Sequence, residues 1–354
     1  MNPLFKGSSM TLAKRFRCIA ALPSLCALFA FASAASLAAQ PAPAIVPRSG
    51  AGYVMSDGTV QIVACSSMGE TVKALDDLFA ATHPATSFSL RLGDNYSVMA
   101  TLTFDRSAVG PLCTEYTRIG LGDNLKITAP PIGIRIAHAS ITPGTAVPAL
   151  GVIVNPRNPL ATLTVDQLTR IFTLGAPGGQ IATWSQAGVT GNLADRGITP
   201  IGLPGNDYFD SDDPQAGEFL GTNKFGGLGF IHGYQSVSHY ADVVDRVRED
   251  PSAIGITALN IPLTGVKFLP LKRQAVGTPV SATAAEIASG RYPLDRFVYL
   301  YMRVNKGTGL DPLALEYARL ALSDEGQKII AAGAAGYIPL NAGELAVERE
   351  KLAQ

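Results

Sequence analysis

The feature that most constrains the fold is an alternation of short β-branched runs with segments of helical periodicity in the first third of the chain. Residues 59–65 (TVQIVAC) are typical of a buried strand, and apolar residues then recur at helical spacing over 72–79. Two more strands are predicted at 87–92 and 108–112, with a short helix at 96–102 between them. Because a helix follows each of the first two strands, this order predicts an α/β fold with a parallel sheet covered by helices.

A second group of apolar strands predicts a second lobe. These strands are predicted at 150–155 (LGVIVN), 200–203 (PIGL), 253–258 (AIGITA) and 297–304 (FVYLYMRV). The length of 354 residues also exceeds the usual size of one domain. The predicted organisation is a signal peptide (1–39), a flexible lead-in (40–56), the first part of lobe 1 (57–145), lobe 2 (146–262), and a return to lobe 1 with the C-terminal helices (263–354).

Residues 1–39 have the layout of a secretory signal peptide. They contain four basic residues and no acidic one, with an apolar run from Cys18 and small residues at 32–36. We therefore expect cleavage between Ala35 and Gln40, and a mature protein that is periplasmic or secreted. The alternative is an uncleaved anchor, since about 20 apolar residues can span a bilayer.

The charge balance excludes recognition through a general electrostatic field. Lys plus Arg and Asp plus Glu number 28 each, and removal of residues 1–39 leaves 24 basic against 28 acidic residues. Such a chain has no positive field to hold nucleic acid or an anionic membrane. The sequence also lacks His-Glu-x-x-His, Gly-x-Ser-x-Gly and complete nucleotide-loop patterns. We therefore predict a binding protein without a metal or cofactor, rather than an enzyme.

The cysteine count suggests one disulfide in the mature protein. Cys18 and Cys26 leave with the signal peptide, and only Cys65 and Cys113 remain. An oxidising compartment favours a bond between this last pair. The alternative is a pair of buried thiols that act as small apolar side chains.

Four segments resemble one family in the expected order along the chain. They are 64–68 (ACSSM), 151–184 (with VIVNPRNPLATLTVDQLTRIFTLG and ATW), 250–258 (DPSAIGITA) and 291–340 (with RYPLDRFVYLYMRVNKG, LSDEGQKII and GYIPL). These segments resemble the periplasmic substrate-binding proteins of phosphate ABC transporters. The resemblance implies the two-lobed type II periplasmic binding protein fold, in which each lobe is a mostly parallel sheet covered by helices and a cleft lies between the lobes. It also implies a monomer that captures a small oxyanion, phosphate first, and delivers it to an ABC permease.

The expected ligand site lies where predicted strands end and helices begin. Helix N-termini there offer free N–H groups to an anion, and hydroxyl and amide side chains add further donors. Ser67 also opens a Ser-x-x-Glu pattern with Glu70, which predicts that Ser67 caps its helix as well. The candidate ligand-binding residues are Ser66, Ser67, Asn95, Ser97, Thr114 and Asn206.

One segment departs from the family pattern. After the predicted strand at 200–203, phosphate binders of this family continue into an arginine and a hydroxyl-rich turn, whereas this chain has PGNDYFDSDD at 204–213. Four aspartates facing a divalent phosphate would repel it. Two explanations stay open: the carboxylates point to solvent, or the ligand is not phosphate. The alternative function is a secreted or envelope-associated interaction module that kept the fold but lost phosphate binding. A phosphoester hydrolase is a third hypothesis, and a cation-binding loop is a further interpretation of the aspartates.

Overall fold

The computed structural model describes residues 45–116, 129–205 and 211–353. The predicted signal peptide, residues 40–44 of the lead-in, and Asn206 lie outside the described residues. The strands are β1 Val60–Cys65, β2 Phe88–Gly93, β3 Gly110–Leu112, β4 Ala129–Ser140, β5 Leu150–Val154, β6 Leu163–Thr164, β7 Thr199–Gly202, β8 Gln235–Ser236, β9 Ala253–Ala258, β10 Lys267–Phe268, β11 Leu271–Lys272, β12 Phe297–Asn305, β13 Gly309–Leu310 and β14 Tyr337–Pro339. The helices are α1 Gly69–Thr82, α2 Asn95–Thr103, α3 Val165–Phe172, α4 Ala216–Phe219, α5 Tyr240–Glu249, α6 Ala284–Ala288, α7 Pro312–Ala321, α8 Asp324–Ala332 and α9 Ala342–Lys351. None of the helices in these ranges is long and apolar enough to span a bilayer.

The first lobe contains a parallel strand pair and a larger antiparallel sheet. β1 and β2 pair in parallel, as the alternating pattern predicted. The larger sheet, which we call the first sheet, has the order β13-β12-β4-β14, with β3 also paired to β12, and each of these pairings is antiparallel. The prediction of a mostly parallel sheet is therefore wrong for this lobe. Local strand–helix order could not show that β12, from far along the chain, runs opposite to β3 and β4.

The second lobe contains a mixed sheet. Its order is β10-β5-β9-β7-β8, and we call it the second sheet. β7 is parallel to both β8 and β9, whereas β5 is antiparallel to β9 and β10. The prediction of a mostly parallel sheet is thus only half correct here. The second sheet also includes β10, at residues 267–268, which lies beyond the predicted end of lobe 2 at residue 262. The lobe boundaries stay a prediction.

Ser67 with Glu70, and Thr164 with Gln167, have the sequence spacing that predicts a capping box, and the two predictions have different outcomes. The Thr164 hydroxyl accepts a hydrogen bond from the Gln167 backbone N–H at 3.0 Å, and the Gln167 side-chain oxygen accepts one from the Thr164 backbone N–H at 3.0 Å. The capping box at the start of α3 is therefore confirmed. The prediction that Ser67 caps α1 is wrong. Ser66–Met68 form a 3-10 turn between β1 and α1, and the residue before α1 is Met68, which makes no side-chain cap.

Helix α9 is held against the first sheet by buried carboxylates. Glu348 is fully buried and bonds the Arg135 guanidinium at 2.5 Å. The imidazole of His138, also fully buried, lies 2.6 Å from an Asp295 oxygen and 3.0 Å from a Glu344 oxygen. Burial opposes a charge on this ring, but the two carboxylates outweigh burial and raise the pKa of His138 to about 9. His138 is therefore an imidazolium that joins α9 to the segment before β12.

This buried imidazolium predicts a loss of stability at alkaline pH. The pKa of His138 is raised from about 6.5 in the unfolded chain to about 9, so its contribution is complete below pH 6.5 and disappears as the pH rises through 9. The difference corresponds to about 3 kcal/mol of unfolding free energy. Urea denaturation between pH 6 and 10 should show this loss of unfolding free energy in the native protein and not in a His138→Gln variant. Parallel profiles for the two proteins would contradict the assignment.

Candidate functional site

A cavity of about 700 Å³ lies where β1 and β2 end. β1 and β2 are in parallel register, with Cys65 opposite Gly93, so their carboxyl ends lie side by side. This is the place where open α/β sheets bind ligands. We call this the strand-end cavity, and it is lined by Cys65, Ser66, Ser67, Gly93, Asp94, Asn95, Tyr96, Cys113, Ala146, Asp212, Asp213, Pro214 and Gln215.

Ser66 and Ser67 both line the cavity, on the 3-10 turn that follows β1. The Ser66 hydroxyl donates to the Gly93 carbonyl at 3.1 Å and so ties the two strand ends together. Ser67 is half-buried, and within the described ranges its hydroxyl makes no hydrogen bond to protein. Ser67 therefore has a donor and lone pairs to offer a ligand.

Asn95 links the two walls of the cavity. Its side-chain oxygen accepts from the Cys113 amide at 3.2 Å, and its side-chain nitrogen donates to the Gln215 side chain. Asn95 is in the first lobe, whereas Gln215 lies between β7 and β8 of the second sheet. The oxygen and the nitrogen of the Asn95 side chain are thus both hydrogen-bonded to protein, and Asn95 connects the two lobes.

The other three predicted residues are placed differently. The Ser97 hydroxyl and amide bond the carboxylate of Asp94, the N-cap of α2, and Ser97 is not among the residues that line the cavity. Thr114 is buried and does not line it either. Asn206 lies outside the described residues.

Cys65 and Cys113 form a disulfide, with 5.9 Å between their Cα atoms. Cys65 ends β1, and Cys113 directly follows β3. Both lie in the cavity wall. The disulfide thus joins two strand ends beside the hydroxyls of the serine turn.

The opposite wall carries two aspartates with partners of their own. Asp212 accepts from the Tyr240 amide at 2.8 Å, at the start of α5, and lies 3.0 Å from His239. Asp213 bonds the Arg296 guanidinium at 2.5 Å and accepts from the Tyr240 phenol at 3.1 Å. Burial raises the pKa of Tyr240 well above its ordinary value, so the phenol stays a neutral donor. Asp213 is therefore balanced by the Arg296 charge, whereas Asp212 is held by the Tyr240 amide and keeps its carboxylate in the cavity wall.

Arg296 was missed by sequence reasoning. Its residue is 2% exposed, and its guanidinium also lies 5.0 Å from the ring of Phe219. The only local signal was its position directly before the apolar run 297–304, where a charge needs a buried partner. Gln215 was missed as well, because nothing near it in sequence indicates that it meets Asn95.

The cavity wall combines neutral donors with carboxylates. Its described lining residues include the hydroxyls of Ser66 and Ser67, side-chain amides, and the carboxylates of Asp94, Asp212 and Asp213, but no basic side chain. In residues 45–116, 129–205 and 211–353, no group of His, Cys, Asp and Glu is arranged to hold a metal ion. The arrangement suits a small polar ligand held by hydrogen bonds.

The comparisons with known proteins agree with this geometry. A sequence model described as the PBP superfamily domain matches residues 145–325, more than half of the chain. The phosphate-binding protein PstS of Pseudomonas aeruginosa is 29% identical over 208 residues, which cover 56% of this chain and 59% of that protein. The chain thus aligns with less than two thirds of the length of this curated relative.

Two solved structures are similar throughout the fold. An ABC-type phosphate transport receptor from Vibrio cholerae has a TM-score of 0.52 at 17% identity, covering 79% of this chain and 99% of that one. PstS from Borrelia burgdorferi has a TM-score of 0.54 at 14% identity, covering 80% and 99%. These similarities establish the two-lobed fold. Together with the match over residues 145–325, they show that this chain belongs to the PBP superfamily.

Proposed function

We propose that this protein is an exported solute-binding protein that captures a small oxyanion, phosphate first, between its two lobes for an ABC transporter. The observation that carries the proposal is the strand-end cavity, where Ser66 and Ser67 of the first lobe face residues 212–215 from the second. The similarity to PstS of Pseudomonas aeruginosa supports phosphate as the first ligand to test.

Hydrogen bonds from neutral groups are sufficient to hold such an ion. The Ser67 hydroxyl is unengaged within the described ranges and lies in the cavity wall. Hydroxyl and amide donors bind an oxyanion strongly because the acceptor is charged. Asp213 is paired with the Arg296 guanidinium, so its repulsion of an anion is reduced.

Lobe closure is the proposed means of capture. The two sheets are connected by residues 141–149 between β4 and β5, and by residues 269–296 between β10 and β12. Hinge motion within these segments would bring residues 212–215 against the serine turn. We further propose that the signal peptide directs a monomer to the periplasm or the exterior, and that the protein itself catalyses no reaction.

Loss of the Ser67 hydroxyl is expected to weaken phosphate binding. A hydrogen bond to a charged ligand contributes about 1.5–3 kcal/mol, so Ser67→Ala should raise the Kd for phosphate by about tenfold to a hundredfold. Isothermal titration calorimetry of ligand-stripped protein measures this, with sulfate and molybdate as comparison anions. Ser97→Ala is the matched control, because Ser97 does not line the cavity and its hydroxyl bonds the Asp94 carboxylate, so its removal should leave the Kd unchanged. Equal affinity for Ser67→Ala and the native protein would refute the site.

A second candidate function is a secreted or envelope-associated interaction module. The observation that favours it is the lack of a basic side chain among the described lining residues. The same calorimetry separates the two functions. Absence of measurable binding to phosphate, sulfate and molybdate would favour the interaction module. Tight stoichiometric binding of any of these anions would exclude it.

A further inference from the structure

A second cavity, of about 660 Å³, lies on one face of the first sheet. Gly133 and Arg135 of β4 line it together with Phe297, Tyr299 and Tyr301 of β12, and this spacing of two places them on the same face. We call it the sheet-face cavity; its other lining residues are Glu115, Phe219, Asn223, Lys224, Asp295 and Lys351. It shares no lining residue with the strand-end cavity.

Lys224 brings a positive charge to this cavity. It ends the π-helical turn Leu220–Lys224, where its ammonium donates to the Pro293 carbonyl at 3.2 Å and lies 5.4 Å from the ring of Phe219. Within the described ranges no carboxylate lies within salt-bridge distance of it. Burial lowers the pKa of Lys224 to about 8, although the more distant charges of Asp295 and Glu115 favour its protonated form.

Two further cations share a single carboxylate. The Arg135 side chain bonds Glu348 at 2.5 Å, and Lys351 bonds the other oxygen of Glu348 at 2.6 Å. The Arg135 guanidinium also lies 4.7 Å from the ring of Phe297, on the cavity wall. Both basic side chains line the cavity, so an anionic ligand there would contact them as well as Lys224.

The cavity also contains acceptors suited to hydroxyl groups. Asp295 is 4% exposed; one of its oxygens bonds His138, and the other has no hydrogen-bond partner within the described ranges. Glu115 accepts from Asn223 and has further lone pairs. A buried acceptor without a donor is unfavourable, and a ligand hydroxyl would satisfy it.

Aromatic rings complete the wall. Phe219, Phe297, Tyr299 and Tyr301 all line the cavity. Aromatic rings can pack against the C–H groups of a ligand while the hydroxyl groups of that ligand bind polar side chains.

We propose that the sheet-face cavity binds a hydroxylated organic anion, such as a sugar phosphate or a sugar acid. Its anionic head lies between Lys224 and Arg135, its hydroxyls donate to Asp295 and Glu115, and its carbon skeleton packs on the aromatic rings. This site is separate from the proposed oxyanion site and does not depend on it.

The first test is calorimetry with glucose 6-phosphate and with gluconate, in the presence of saturating orthophosphate so that the strand-end cavity is occupied. These two probes distinguish a phosphate head from a carboxylate head. We expect saturable binding of at least one probe, weakened by about tenfold or more in Lys224→Met, because a charge-assisted contact is lost. Lys73→Met is the matched control, because this exposed lysine lines neither cavity, and the variant should bind the probe as the native protein does. Uncharged glucose should bind at least about tenfold more weakly than the better anion.

Three results would overturn the proposal: no saturable binding of either anion, equal binding of glucose, or an unchanged Kd in a folded Lys224→Met variant. A second measurement uses the native protein and so does not depend on that variant. The protein is treated with an amine-acylating reagent at pH 8, and the rate of acylation at Lys224 is followed by mass spectrometry. The bound anion should slow acylation of Lys224 by about fivefold or more while exposed lysines such as Lys73 react unchanged. Absence of this protection at saturating anion would also overturn the proposal.

Discussion

Replacement of Asp213 by asparagine is expected to lower the free energy of unfolding by about 3–5 kcal/mol, because it leaves the Arg296 charge buried without its partner. The two side chains are 9% and 3% exposed, and their atoms lie 2.5 Å apart. Burial opposes the guanidinium charge, but Asp213 outweighs burial and raises the pKa of Arg296. Without Asp213 this shift is lost, but an arginine still keeps its proton at neutral pH and so carries the cost of the buried charge. Urea denaturation at pH 7 measures the change.

The matched control is an exposed ion pair in the same protein. Asp245 and Arg248 lie 2.7 Å apart with side chains 57% and 47% exposed. Asp245→Asn should change the unfolding free energy by at most about 0.5 kcal/mol, since solvent screens such pairs. The double variant Asp213→Asn, Arg296→Met should be more stable than Asp213→Asn alone, because the uncompensated charge is gone. This account would be contradicted if the double variant lost as much unfolding free energy as Asp213→Asn and Arg296→Met lose together.

Removal of the disulfide is the second large expected effect. Cys65 and Cys113 are 48 residues apart, and a bond over that span restricts the unfolded chain by about 4 kcal/mol on a loop-entropy estimate. The variant with both cysteines changed to serine should lose about this amount of unfolding free energy. Because both residues lie in the wall of the strand-end cavity, its affinity for phosphate should fall as well.

Reduction of the native protein provides the control for this prediction. Dithiothreitol should lower the stability of the native protein toward that of the double-serine variant and leave the variant itself unchanged. An equal unfolding free energy for the oxidised protein and the variant would mean that the bond does not constrain the unfolded chain in this way.

Local patterns predicted the elements that depend on their own residues. The parallel pairing of β1 with β2 and the capping box at Thr164 both follow from periodicity and short-range hydrogen bonds. The proximity of Ser66 to Gly93 follows in turn, because parallel strands bring their carboxyl ends together. The apolar strands and the chain length predicted a second lobe, and the family resemblance added the cleft between the two lobes.

Local pattern was insufficient where a segment had two locally satisfactory conformations. Ser67 and Glu70 have the spacing of a capping box, yet the chain forms a 3-10 turn over Ser66–Met68 and begins α1 after it. In that turn the Ser67 hydroxyl stays at the cavity instead of bonding the helix. The hydrogen bond from Tyr337 to the Ser67 carbonyl, at 3.1 Å, is a tertiary contact that supports the turn.

The sequence by itself determined the α/β class, the strand and helix positions, and the strand ends at which a ligand site would form, because these depend on side-chain periodicity over a few residues. Tertiary structure alone decided that β12 makes the first sheet antiparallel, that Arg296 neutralises Asp213, and that Asn95 meets Gln215. Each of these contacts joins segments far apart in the chain. Their energies come from burial and charge pairing that exist only once the lobes are assembled, so no local spacing records them.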